Sequence, residues 1–322
     1  MKRTILMSAA AAAMAACAPG NSGADLSATE NAETVQSEAR EAQATSLFGE
    51  PLYAGEPSAD MLAKYEAAKA EYEADPNDPD KLIWYGRRTA YLGHYHNAID
   101  IFSEGVEKHP EDARMLRHRG HRYISTRQFD KAIEDLEKAA DMIVGTSDQV
   151  EPDGMPNAMN IPLTTTHGNI RYHLGLAYYL VQDFENARRV YAEDLATTDN
   201  DDGLVASTHW LYMILSRLGR EDEANALLTD ITPDMTIIEN YAYHKACLFY
   251  KGEISLEEAL GEDGATVMGA GFAYGVANWH LYNGQEEKAF ELMNRIVDGP
   301  TWAAFGYIAA EADLAAYDTR QK

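Results

Sequence analysis

The sequence has few cysteines, few basic residues and none of the common catalytic motifs, and each shortage excludes a class of protein. Two cysteines in 322 residues cannot build a disulfide-stabilised scaffold. Lysine and arginine total 27 against 52 aspartate and glutamate, which gives a formal net charge of -25 at pH 7. A chain this acidic does not bind nucleic acid or an anionic membrane through its general electrostatic field. Because no nucleophile elbow, phosphate loop, dinucleotide fingerprint or HExxH motif is present, we predict a protein that is not an enzyme, with no catalytic residues and no cofactor.

The N-terminal segment, residues 1–16, has the pattern of an export signal. Two basic residues precede a short apolar run, which ends in small residues before Cys17. The run is too short to span a bilayer as a permanent helix. The segment resembles a bacterial lipoprotein signal, and this resemblance implies acylation of Cys17 and, since Ala18 follows it, a lipid anchor in the outer membrane that faces the periplasm. An ordinary secretory signal, with Cys17 present by chance, is the alternative.

Residues 17–57 are rich in small and polar residues and poor in large apolar ones, so they are predicted to form a lipid-anchored flexible tether. A coil of this length spans about 35 Å on average. If Cys17 is acylated, Cys247 has no cysteine partner, and without a nearby activating group it is predicted to be a buried structural thiol.

A repeated pattern of small and large residues organises the rest of the chain. Residues 172–191, YHLGLAYYLVQDFENARRVY, contain two short helical stripes joined by a turn, with small residues where the two helices would touch. The same glycine-to-alanine spacing of 12 recurs at three places, the first two of which are offset by 34 residues: Gly86 and Ala98, Gly120 and Ala132, Gly175 and Ala187. Looser copies follow at Tyr212, Cys247 and Ala277.

This pattern resembles the tetratricopeptide repeat, whose period is near 34 residues. The resemblance implies an all-α fold: a right-handed α-solenoid of about six helix-turn-helix units over residues 58–318, followed by a tail at 319–322. Residues 58–74 and 301–317 have single amphipathic patterns and are predicted to be the N-terminal and C-terminal capping helices.

One long segment, about residues 145–166, interrupts the 34-residue period. It contains three prolines and many turn-forming residues, which predict a loop. Two roles stay open: a plug that fills the superhelix through Met155, Met159, Ile161 and Leu163, or a loop that binds a partner. Its acidic residues lack the spacing of a calcium-binding hand.

The charge is uneven, and residues 81–131 are locally basic. They contain ten lysines and arginines against six acidic residues, with five histidines. In the tetratricopeptide family the first helix of each unit lines the concave groove, and the resemblance places seven residues of this chain there: Arg87, Tyr91, Arg114, Arg117, His121, Tyr172 and Tyr179. Arginine suits carboxylates, so the implied guest is a protein or peptide with acidic residues or a free C-terminal carboxylate. In the alternative, these arginines pair on a solvated face with Glu104, Glu107 and Glu111.

The histidines are the remaining hint of chemistry. His94 and His96 flank a turn, and His118 and His121 are three residues apart on a helix, so either pair could chelate a metal, although no nearby acid or cysteine completes a site. The sequence therefore favours a lipid-anchored, periplasm-facing scaffold that binds a protein or peptide in its groove and contacts the membrane only through its anchor. A metal-binding envelope protein with a possible enzymatic role is the alternative. The sequence does not indicate an oligomeric state.

Overall fold

The computed structural model describes residues 41–260 and 269–321, and in these ranges the chain is almost entirely helical. The signal segment, Cys17 and the tether as far as residue 40 lie outside the described residues. None of the described helices is long and apolar enough to cross a membrane. The elements are β1 (Ala42–Thr45), β2 (Pro51–Tyr53), α1 (Ala59–Ala74), α2 (Pro79–Tyr91), α3 (Tyr95–Lys108), α4 (Ala113–Ser125), α5 (Phe129–Met142), α6 (Thr166–Leu180), α7 (Phe184–Leu195), α8 (Asp201–Arg217), α9 (Glu221–Leu227), α10 (Tyr241–Lys251), α11 (Leu256–Leu260), α12 (Ala270–Tyr282), α13 (Glu286–Val297) and α14 (Phe305–Gln321).

The predicted solenoid of tetratricopeptide type is confirmed, because successive helices from α2 onward pack as antiparallel pairs joined by tight turns. Asp78 caps α2 by accepting hydrogen bonds from the backbone N–H groups of Asp80 and Lys81, and Asp112 caps α4 in a similar way. The number of units stays a prediction, because α11 runs into residues outside the described ranges.

Close helix contact explains the glycine in each of the first three units. A Cβ added to Gly86 of α2 would lie 2.6 Å from the ring of Phe102 on α3, and one added to Gly175 of α6 would lie 2.7 Å from the ring of Tyr191 on α7. Only glycine allows the large side chain of the second helix to pack directly on the backbone of the first.

The capping helices lie close to their predicted places. α1 begins one residue after the predicted start, with Ser58 as its N-cap, and ends at the predicted residue. α14 begins at Phe305, later than predicted, and continues to Gln321, so the predicted four-residue tail is mostly helix.

The last part of the predicted tether is ordered, so the prediction of a flexible tether is wrong for residues 42–53. They form an antiparallel hairpin of β1 and β2, in which Gln43 and Ala44 are buried. The backbone N–H of Leu47 donates to Glu311 Oε1 at 2.5 Å, and Trp302 Nε1 donates to the carbonyl of Tyr53 at 2.8 Å. The hairpin is held by polar contacts with the C-terminal cap, and a count of large apolar residues does not detect such contacts.

The C-terminal helices fold back onto earlier units, and this closes much of the concave face. Tyr179 of α6 lies under α12, where its hydroxyl is 2.5 Å from that of Tyr274 and accepts a hydrogen bond from Asn278 Nδ2 at 2.5 Å. Asp313 of α14 pairs with Arg217 of α8. The main hydrophobic core therefore runs from α4 to α14 as one cluster, while a smaller cluster lies between α2, α3 and α4.

Candidate functional site: a basic cavity closed by the inserted loop

Helices α2 and α4 and the inserted loop enclose a cavity of about 210 Å³, which we call the basic cavity. On α4, Arg117 and His121 are four positions apart, and so are His118 and Arg122, so these two pairs form adjacent rows on one side of the helix. Residue 87 reaches the same space from α2. The ionisable residues that line it are Arg87, Tyr91, Arg117, His118, His121, Arg122, Glu151, Asp153 and Glu239.

Glu151 of the inserted loop is the carboxylate that enters this cavity. Its Oε1 lies 3.1 Å from Arg117 Nη2 and 3.7 Å from Arg87 Nη1. Arg87 Nη1 also donates to the carbonyl of Pro152 at 2.7 Å. Within the loop, the backbone N–H of Glu151 donates to the carbonyl of Thr164, two residues before α6, at 2.9 Å. An extended acidic segment of the chain therefore occupies the basic end of the array.

The predicted loop is confirmed, and of the two roles left open for it, the apolar plug is contradicted for three of its four residues, while Leu163 is half-buried and lines the basic cavity. Met155 is 66% exposed, Met159 is 62% exposed and Ile161 is 41% exposed. Glu151 enters instead, because buried guanidinium groups require a carboxylate more than they require apolar contact.

The histidines of the cavity are neutral. Burial, reinforced by the neighbouring guanidinium groups, holds the pKa of His118 and of His121 well below the usual value of 6.5. His118 Nδ1 accepts a hydrogen bond from Arg117 Nη1 at 2.8 Å, which a protonated ring could not do. Burial also lowers the pKa of Arg122 to about 10, so its guanidinium keeps its charge at neutral pH. The positive charge of the cavity comes from its arginines alone.

The structure brings four of the seven predicted groove residues together at the basic cavity: Arg87, Tyr91, Arg117 and His121. Arg114 does not join them. It points away, with Nη1 at 2.7 Å from Asp80 Oδ1 and Nη2 at 2.6 Å from Asp112 Oδ2. The carboxylate partners of these arginines are therefore Glu151, Asp80 and Asp112, and the alternative pairing with Glu104, Glu107 and Glu111 is wrong.

The two predicted tyrosines have different surroundings. Tyr179 is only 2% exposed, so the prediction that it lines an open groove is wrong. Tyr172 lines a second, larger cavity of about 650 Å³ beside the basic cavity, together with Tyr243 and Phe305. Its hydroxyl is 3.0 Å from that of Tyr243 and accepts from Trp210 Nε1 at 2.9 Å. His121 borders both cavities, which makes them neighbours.

The histidine pairs on which the metal-binding alternative rested do not form a metal centre in the described part of the chain. No group of three or more histidine, cysteine, aspartate or glutamate side chains there is placed to hold a metal ion. The prediction for Cys247 is confirmed: it is a free, fully buried thiol whose pKa is raised by burial.

Sequence reasoning missed three contributors to the site, namely Arg88, Arg122 and Glu151. Arg88 Nη1 donates to the carbonyl of Gly154 at 2.8 Å, so it holds the loop backbone. Arg122 could have been found because it lies four positions after His118 on the same face of α4. Glu151 carries no local signature, because its partners are on α2 and α4, more than thirty positions away along the chain.

Comparisons with known proteins show no matching family model and no matching curated protein. Among solved structures, the chain is similar to YrrB, described as a tetratricopeptide protein with an unusual peptide-binding site, at 17% identity and a TM-score of 0.42 over 80% of this chain and 99% of that one. It is also similar to PilW, a type IV pilus biogenesis factor, at 12% identity and a TM-score of 0.44 over 74% of this chain and 86% of that one. A tetratricopeptide repeat protein from Parabacteroides merdae matches at 15% identity and a TM-score of 0.44 over 79% of this chain and 92% of that one.

Proposed function

We propose that this protein is a lipid-anchored, periplasm-facing scaffold, not an enzyme, and that it binds an extended acidic segment of another protein at the basic end of its helical array. The anchor would be Cys17, with attachment to the outer membrane. The acidic segment would take the place that residues 150–154 of the inserted loop occupy, so the loop and the partner compete.

The single observation that carries this proposal is the way the chain holds its own loop. Arginine side chains pair with the carboxylate of Glu151 and donate hydrogen bonds to the backbone carbonyls of Pro152 and Gly154. Recognition of carbonyl oxygens does not depend on the side chains of the guest, so another extended segment with a carboxylate at the same place can make the same contacts.

The loop is suited to being displaced. Its methionines beyond Glu151 are exposed, and its anchorage to the helices is one buried carboxylate and single hydrogen bonds. Those besides the contacts of Arg87 and Arg88 involve Asp148, Asn157 and the carbonyl of Leu163. As part of the same chain, however, it competes at an effective concentration on the order of millimolar. A partner must therefore bind more tightly than the isolated loop sequence would.

The test uses a labelled peptide with the sequence of residues 148–155, DQVEPDGM. We would compare its fluorescence anisotropy with the wild-type chain and with a variant in which residues 147–163 are replaced by a glycine-serine linker of equal length. The variant should bind the peptide at least about tenfold more tightly than wild type, because the internal competitor is gone. A second peptide, DQVQPDGM, lacks the carboxylate and should bind at least about tenfold more weakly to the variant.

Two substitutions in the linker variant locate the binding site. Arg117→Gln should abolish binding, because it removes the guanidinium closest to the carboxylate. Arg114→Gln is the matched control, because that arginine is paired on the surface outside the cavity, and it should leave binding unchanged. Equal binding of the two peptides, or no binding to a linker variant of native helical content, would contradict the proposal.

The anchor has its own test. A Cys17→Ala variant, expressed with its native leader in a Gram-negative host, should move from the membrane fraction to the soluble periplasmic fraction. Labelling with a radioactive fatty acid should mark the wild type alone. If both forms fractionate alike and neither takes up the label, the lipid anchor is wrong while the peptide proposal stands or falls separately.

A further inference from the structure

The basic cavity contains one arginine, Arg122, for which the described residues provide no ion-pair partner. Arg122 is only 8% exposed and lines the cavity, yet its side chain forms no ion pair and no hydrogen bond with any residue in the described ranges. Its nearest partner there is the ring of Tyr95, whose centroid is 5.4 Å from the guanidinium carbon. Burying a guanidinium is unfavourable unless an anion compensates it, so this arrangement points to a bound anion.

The charges around the cavity specify how negative that anion is. Three guanidinium groups, those of Arg87, Arg117 and Arg122, face one buried carboxylate, that of Glu151, and the histidines are neutral. Counted over these four groups, two positive charges are therefore in excess. Asp153 and Glu239 also line the cavity, but among the described residues neither forms an ion pair with these arginines: Glu239 accepts a hydrogen bond from Asn157 Nδ2 at 2.7 Å, and Asp153 accepts one from the backbone N–H of Met155 at 2.9 Å. A dianion would compensate the two guanidinium groups in excess.

Two buried polar atoms specify the hydrogen bonds that the anion makes. Arg117 Nε is a donor without an acceptor, and Glu151 Oε2 is an acceptor without a donor, among the described residues. A guest that satisfies both must offer oxygen acceptors to the arginines and one O–H to the carboxylate. Sulfate is a dianion with no proton to donate. Monohydrogen phosphate has two charges and one P–O–H.

We propose that the basic cavity binds one monohydrogen phosphate ion, with Arg87, Arg117 and Arg122 donating to its oxygens and Glu151 accepting a hydrogen bond from its P–O–H group. The site needs the inserted loop in place, because the loop supplies Glu151. This inference therefore does not rest on peptide binding, which needs the loop displaced. The cavity has a volume of about 210 Å³, which suits a small ion, and the loop forms one of its walls.

The experiment measures phosphate binding by the full chain in a buffer free of phosphate and sulfate, by isothermal titration with inorganic phosphate. The expected result is one ion per chain and a rise in melting temperature as phosphate is added, since a ligand that binds only the folded state stabilises it. Sulfate and acetate should each bind at least about tenfold more weakly, because neither provides both the charge and the donor. A phosphate monoester such as glycerol phosphate tests whether the source of the group matters: weaker binding supports the free ion, and binding as tight as that of inorganic phosphate overturns it.

Three variants distinguish phosphate binding at the basic cavity from nonspecific electrostatic binding of anions elsewhere on the protein. Arg122→Met should lose phosphate binding while raising the melting temperature of the ligand-free chain, because a buried, unpaired charge is replaced by an apolar side chain of similar length. Glu151→Gln, whose amide can donate, should reduce the preference for phosphate over sulfate at least about tenfold. Arg114→Gln should change neither property, because its guanidinium is paired outside the cavity.

The inference is overturned if wild type binds no phosphate at millimolar concentration, or binds sulfate equally well. It is also overturned if Arg122→Met destabilises the ligand-free chain and keeps its phosphate affinity. The melting temperature of each variant shows whether it has folded, so a loss of binding in a folded Arg122→Met protein is not mistaken for unfolding.

Discussion

The buried ion pair between Arg127 and Glu311 allows a quantitative prediction about how the C-terminal helix is held. The two side chains are 3% and 1% exposed, and Arg127 Nη2 lies 2.6 Å from Glu311 Oε2. Arg127 occupies the turn between α4 and α5 with a left-handed φ of 62°, which directs its side chain toward α14. The other carboxylate oxygen accepts the backbone N–H of Leu47, so one glutamate joins the second helical unit, the N-terminal hairpin and the C-terminal cap.

Glu311→Gln should lower the free energy of unfolding by about 3 kcal/mol, the lower end of the range of about 3–5 kcal/mol for removing one partner of a buried pair. The lower end applies because the glutamine carbonyl still accepts the N–H of Leu47. For a domain of this size about 1 kcal/mol corresponds to about 2–4 °C, so the melting temperature should fall by about 6–12 °C.

The assay is a double-mutant cycle followed by far-ultraviolet circular dichroism during urea and thermal unfolding. Glu311→Gln and Arg127→Gln should each destabilise, and the double variant should lose clearly less than the sum of the two, because neither then leaves a buried unpaired charge. Glu193→Gln is the matched control, since its ion pair with Arg189 is half exposed and contributes at most about 0.5 kcal/mol. If Glu311→Gln changes stability no more than this control, or if the two substitutions are additive, the inferred coupling is wrong.

Two further predictions concern packing and pH. Gly175→Ala should destabilise the chain by about 1–3 kcal/mol, because the new methyl group would overlap the ring of Tyr191, whereas Gly55→Ala, where no atom lies within 4 Å, should change stability little in urea unfolding. Asp194 is buried, and this raises its pKa to about 6, above the value of the unfolded chain, so its contribution to stability is present below about pH 4 and is lost as pH rises toward 6 and beyond. The free energy of unfolding of Asp194→Asn, measured relative to wild type in unfolding titrations, should therefore rise by roughly 3 kcal/mol between pH 4 and pH 8. A difference that does not depend on pH would contradict this assignment.

Much of the helical array could be predicted from the sequence, because its determinants are local and repeated. Gly86 and Gly120 are 34 residues apart, and each small residue marks a place where two neighbouring helices must touch. The charge of residues 81–131 also predicted a basic surface on α2 and α4, and four of the seven predicted groove residues do meet there.

The predictions that were wrong concern residues whose positions depend on contacts between distant parts of the chain. Tyr179 was expected in an open groove, but α12 returns to cover it, and no local pattern specifies where a helix about 95 residues later will pack. Residues 42–53 belong to a stretch that is mostly small and polar, yet the backbone N–H of Leu47 and the backbone carbonyl of Tyr53 form hydrogen bonds with the C-terminal cap.

The sequence by itself determined the helix pairs, their register and the cationic face of α4, since helical periodicity and small-residue spacing act within about 34 residues. Only the tertiary structure decided which of those cations are compensated. It brings Glu151 to Arg117, leaves Arg122 without a carboxylate in the described ranges, and turns Arg114 outward to Asp80 and Asp112. The energy of a buried charge depends on what surrounds it in three dimensions, and a linear sequence does not state those neighbours.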